Sequence, residues 1–82
     1  MFKNNEETDI LKDLLEEERN RVLKVLKEIK DSKKPLTIKE IIKKTKLSYT
    51  KVTEALAILR ERKLIKREVI GGRNVYSRVD QK

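Results

Sequence analysis

Eighty-two residues, 44% of them charged, 37% hydrophobic and 4% aromatic, allow one domain with a small core and leave no room for a second. Lys and Arg number 22 against 14 Asp and Glu, a formal net charge of +8, and Cys and His are both absent. That removes disulfides, thiol nucleophiles, imidazole bases and nearly every zinc or copper site, so binding rather than catalysis is expected, with no metal and no cofactor. No apolar run approaches the ~18–20 residues of a membrane span, and no apolar signal core follows Met1. A cytoplasmic chain, nucleoid-associated or in a host cytoplasm if viral, with no membrane partner, is the expectation.

The charge is uneven. Residues 1–18 carry seven acids and two bases, a net of −5, which leaves twenty bases against seven acids, a net of +13, on residues 19–82. A basic body with an acidic arm points to an anionic partner, and nucleic acid is the obvious one. A solubilising surface is the competing reading. Abundant Lys, Glu and Ile beside a single Gln fit a thermophilic source.

From Thr8 to Asp31 there is neither Gly nor Pro, and the pattern allows one long helix or two that meet near residues 16–21, with one nearly continuous helix the favoured reading. Ile10, Leu11, Leu14 and Leu15 form one apolar stripe on it. Val22, Val25, Leu26 and Ile29 form another at i, i+3, i+4, i+7. A wholly polar stretch, residues 16–21, separates them, and Glu17–Arg21 and Lys24–Glu28 are spaced for i, i+4 pairs. Asp31-Ser32-Lys33-Lys34-Pro35 ends this helix.

Thr37 and Glu40 then have the spacing of a capping box, with Leu36 and Ile41 at the hydrophobic-staple positions around it. The helix they start is short, because residues 43–46 add no apolar face. Ser48 caps the next one, with Leu47 and Val52 as a second staple and Val52, Ala55, Leu56 and Leu59 as the buried stripe. Two capped helices separated by about four residues make a helix-turn-helix skeleton. Ile58 lies off the buried stripe and calls for a cover.

Beyond residue 64 the period changes. Residues 64–70 and 75–79 are β-prone runs around Gly71-Gly72-Arg73-Asn74, which holds both glycines of the chain and marks a hairpin. A three-residue loop would set Val69 opposite Val75 and Ile65 opposite Val79 on one apolar face. An odd loop or a bulge is therefore predicted, with Lys66, Glu68, Tyr76 and Arg78 facing outward.

This order of elements, with the stretch LSYTKVTEALAILRERKLI from Leu47 to Ile65, resembles the winged helix-turn-helix domains of MarR- and ArsR-type transcriptional regulators, including their small archaeal and archaeal-virus forms. The resemblance covers residues 19–80. It implies a mainly α fold with a β-hairpin wing (α+β), a three-helix core on residues 19–82 and an acidic N-terminal helical extension on residues 1–18. Lys63 stands where the family usually has Gly, at a left-handed helix terminator, and the long C-terminal dimerisation helix of the MarR type is missing.

The same resemblance implies a sequence-specific regulator of transcription that binds double-stranded DNA, more a repressor by occlusion than an activator. A recognition helix at about 48–62 would lie in the major groove, and a wing at 65–79 at the minor groove or backbone. Tyr49, Thr50, Lys51, Thr53, Glu54 and Ala57 fall on the groove face; Glu54 can accept from a cytosine amino group or pair with Lys51 at i, i+3, and the pair is the expectation. Lys43, Lys44, Lys46, Ser48 and Arg60 are the phosphate candidates, and Arg73 and Asn74 those of the wing. Ile10, Leu11, Leu14 and Leu15 are the candidate dimerisation residues of a homodimer. No small-molecule effector site is legible. Two alternatives stay open: a winged-helix protein-interaction module of transcription or replication machinery, and a non-specific architectural DNA-binding protein.

Overall fold

The computed structural model describes residues 9–79. Among the described residues, five elements follow one another after the helical Asp9 and Ile10: α1 (Glu16–Asp31), α2 (Ile38–Thr45), α3 (Tyr49–Glu61), β1 (Ile65–Ile70) and β2 (Arg73–Arg78). Three helices and an antiparallel two-stranded hairpin make the α+β arrangement that the sequence predicts. α1 packs across α3, α2 and β2. Together α1 and α3 supply eight of the fourteen buried hydrophobic side chains among the described residues, and each of the Val, Leu and Ile side chains is worth about 1.5–3 kcal/mol when fully buried.

The single helix expected from Thr8 to Asp31 is broken. Asp9 and Ile10 are helical, residues 11–14 turn, and Leu15 is extended (φ −62°, ψ 154°) before α1 begins. The cause is long-range. Leu11 lies in the core at 0% exposure, in the turn that separates Ile10 from α1. Arg62 at the end of α3 holds the turn there, donating to both carboxylate oxygens of Asp13 (2.9 and 3.1 Å) and to the Ile10 carbonyl (2.6 Å). Glu16, Glu17 and Glu18 occupy the first turn of α1, where the helix dipole favours acids. On α1 exposed Lys27 pairs with Asp31 (2.9 Å) at i, i+4.

Both predicted caps are present. The Thr37 hydroxyl accepts from the Glu40 amide (3.2 Å) while the Glu40 carboxylate accepts from the Thr37 amide (2.9 Å). Ser48 accepts from the Lys51 amide at 3.2 Å. Lys63 adopts the left-handed conformation in place of the expected glycine (φ 64°), and Lys46 at the end of α2 does the same (φ 67°). Each costs about 1–2 kcal/mol that a glycine would not.

The hairpin register differs from the prediction. Ile70 pairs with Arg73 and Ile65 with Arg78, so the loop is Gly71-Gly72 alone. Both glycines have positive φ (61° and 77°), as a two-residue type I′ turn demands. No heavy atom lies within 4 Å of a Cβ built on either, so conformation alone, and not crowding, requires glycine there. Val69 thus faces Asn74 and Glu68 faces Val75, and the proposed common aliphatic face does not form. Tyr76 points inward rather than outward. Leu36 makes a β-bridge to it through two backbone bonds (2.9 and 2.8 Å), and this third segment turns the tyrosine ring onto the core beside Ile65. Lys66, Glu68 and Arg78 are exposed as expected.

Candidate nucleic-acid interface

α3 has a buried face of Val52, Ala55, Leu56 and Leu59, and the 3.6-residue period distributes the rest. Thr50, Glu54, Ala57 and Glu61 run down the centre of the outer face. Tyr49, Thr53 and Arg60 form one flank, and Lys51, Ile58 and Arg62 the other. Ile58 is half-buried against the core beside α1, which gives it the cover it lacked in sequence. Thr50, Lys51, Glu54, Ala57 and Arg60 are exposed, Tyr49 prominently so, and Thr53 is half-buried.

The N-terminal end of this face is the cationic end. Its first turn holds no acid, whereas Glu54 and Glu61 follow further along. Arg60 lies eleven residues beyond Tyr49, about 16 Å along the axis. The fold gathers Lys43 and Lys44, exposed on the last turn of α2, with Lys46 and Ser48 into the short connection that leads into α3. Thr45 organises that connection. Fully buried, its hydroxyl donates to the Ile41 carbonyl (2.8 Å) and accepts from the Leu47 amide (3.3 Å), and Lys46 then reverses the chain. Its tertiary role has no signature in the sequence beyond a polar residue at a helix end.

Hydrogen-bond capacity narrows what each group can do. Ser48 spends a lone pair on the cap, so its hydroxyl proton is left to donate. The first amides of α3 have no partner within their helix and point outward, a natural anion site. Thr53 donates to the Thr50 carbonyl (3.0 Å), which leaves its lone pairs and methyl for a partner. Lys51 and Glu54 do not pair with each other, and the ion pairs among the described residues lie elsewhere. Glu54 lies beside Arg21 and Lys51 along a shallow crevice against α1.

Arg73 and Asn74 are exposed at the start of β2, directly after the glycine turn, on a separate projection from α3. The four apolar residues near the N-terminus do not form a common surface. Leu11 is in the core of its own chain, Leu14 is half-buried, Ile10 is exposed, and Leu15 is 78% exposed. Arg62 is the residue that sequence reasoning overlooked, since its partner lies 49 positions away. Its guanidinium holds the Asp13 carboxyl below the ordinary carboxylate range, and the Thr37 amide does the same for Glu40. An open cleft of about 440 Å³, edged by Lys30, Lys33, Lys34 and Arg78, lies at the end of β2 opposite the glycine turn.

Three helices with a capped helix-turn-helix and a hairpin projecting beside the third helix constitute a winged-helix fold. Among solved structures, HlyU from Vibrio cholerae N16961 is similar to this chain, with a TM-score of 0.67 and 25% sequence identity over 98% of this chain and 83% of that one. No protein-family model matches the sequence, and no curated protein matches it. No helix among the described residues is long and apolar enough to cross a membrane.

Proposed function

We propose that this chain is a sequence-specific regulator of transcription that binds double-stranded DNA and represses by occlusion. The likeness to HlyU, a winged-helix transcriptional regulator, supports the general class. The observation that carries the finer reading is the cationic entrance to α3: an acid-free first turn with outward amides, preceded by Lys43, Lys44 and Lys46 on a turn held rigid by Thr45. Lysines at that turn meet phosphates, while Thr50, Lys51 and Thr53 enter the major groove from the helix N-terminus. Glu54 accepts from a cytosine amino group. Arg73 and Asn74 reach the adjacent minor groove.

The chain works without catalysis, in the cytoplasm, as a two-fold homodimer. Exposed Ile10 and Leu15, with half-buried Leu14, supply its apolar contact, whereas Leu11 serves its own subunit.

Selection from a random duplex pool tests the whole proposal. A palindromic pair of half-sites about one helical turn apart is expected, bound about 10³-fold more tightly than a scrambled duplex. With Lys43, Lys44, Lys46 and Arg60 on phosphates and Arg73 in the minor groove beside them, log K per protomer falls against log salt with a slope of about −4 to −5. Enrichment of no sequence, with tight binding to all, would leave an architectural protein. Binding to none would leave a protein-interaction module.

A further inference from the structure

The two edges of the wing are not alike. A two-residue turn makes Ile70 and Arg73 a hydrogen-bonded pair, and the bond from the Val79 amide to the Leu64 carbonyl (3.2 Å) continues that ladder at its base. Alternation then turns the backbone groups of Ile65, Arg67 and Val69 away from β2, and those of Tyr76 away from β1. Tyr76 spends both of its outward groups on Leu36, which closes the β2 edge there. Among the described residues, no backbone group meets the outward groups of Ile65, Arg67 and Val69.

This open edge is regular over Ile65–Ile70, with neither the proline nor the bulge that commonly blunts an edge strand. Near the turn it carries two uncovered aliphatic side chains, Val69 (66% exposed) and Ile70 (56%), whereas Leu64 and Ile65 at its base are buried. Lys66 and Glu68 share one face, 3.9 Å apart, so the strand holds both signs of charge and complements a reversed copy of itself.

We propose that the β1 edge pairs with the β1 edge of a second copy of this chain, antiparallel about a two-fold axis at Arg67, to give a four-stranded sheet. With Arg67 on the axis, Ile65 faces the partner's Val69 and Lys66 faces the partner's Glu68, each twice over. About six backbone bonds then close the open groups. Ile70 falls beside the partner's Leu64, so both uncovered side chains gain cover. Moving the axis to Glu68 sets two carboxylates face to face and leaves Lys66 opposite the partner's Ile70, so charge selects Arg67. The one unfavourable pair is Arg67 with its own mate, set against two ion pairs and two aliphatic pairs.

One strand on each side is a small contact, so the association is weak and depends on concentration. The two glycine turns point in opposite directions, so one duplex cannot receive both wings, and the pair is a form of the chain off DNA. The inference goes beyond the DNA-binding reading, makes no use of Ile10, Leu14 or Leu15, and is tested without DNA, so either can fail alone.

Amide hydrogen exchange on the full chain, dilute and at millimolar concentration, reads the pairing residue by residue. The Arg67 and Val69 amides should slow about tenfold in the concentrated sample, while those of Lys66, Glu68 and Ile70, already bonded to β2, change little. No slowing at Arg67 and Val69, or equal slowing along the whole strand, overturns the proposal. Lys66→Glu and Glu68→Lys should each abolish the effect. An equimolar mixture of the two should restore it, because the acids of one chain then face the bases of the other. Arg67→Pro removes an outward amide and no ladder bond, so it should abolish the slowing at Val69 while the amide spectrum of the wing stays dispersed. A mixture that behaves like the separate variants overturns the proposal, as does an Arg67→Pro chain that keeps the effect.

Discussion

The helical body and the wing are built on opposite principles. α1 and α3 each bury four side chains in a shared core, whereas β1 buries only Ile65 and β2 only Tyr76, both at the base of the ribbon. Stability therefore resides in the helices, and the outer wing is nearly free of folding duties. Its tip can carry Arg73, Asn74, Val69 and Ile70 for contact without loss to the core. α3 has to do both jobs along one helix, and divides them between its faces.

Separate substitutions can break this division. The largest effect is expected for Leu59→Ala, which empties a fully buried position on α3: about 3 kcal/mol by urea denaturation, a large share of what a domain this small possesses. Arg73→Ala should lower DNA affinity about tenfold and leave the urea midpoint unmoved. A wing that also sustained the fold would show a shift there. Between these lies Thr37→Ala, which removes half of the capping box and should cost about 1 kcal/mol with DNA affinity at saturating fold unchanged.

The smallest effect is a dependence on pH. The carboxyls of Glu40 and Asp13 are held below their ordinary pKa in the folded chain, by the Thr37 amide and by Arg62 respectively. The stability they contribute is thus complete above the ordinary carboxylate range of about 4 and is lost as pH falls through the lowered values. Thermal midpoints should decline from about pH 5 downward. Glu40→Gln, which still accepts the Thr37 amide but takes up no proton, should flatten that decline.

The features legible in the sequence were those whose causes are local. Thr37 and Glu40 lie three residues apart, Ser48 and Lys51 likewise, and a cap needs only the chain next to it. The two glycines located the hairpin for the same reason. Its register differs from the one that a common face of Val69, Val75, Ile65 and Val79 would require. The face was instead chosen by Tyr76, which Leu36 turns toward the core from forty residues away. For the candidate interface, the lysines and the exposed positions of α3 followed from helical spacing. Thr45 and Arg62 did not, since the first acts through burial and the second through a partner across the molecule.

By itself, then, the sequence determined where α2 and α3 begin, where the chain turns and which end of α3 is cationic, because these depend on residues within four or five positions of one another. Tertiary structure alone decided the break at residues 11–15, the burial of Leu11 and the inward turn of Tyr76. Each of these trades a local preference for apolar burial against a distant surface, and that surface exists only once α1 has closed over α3.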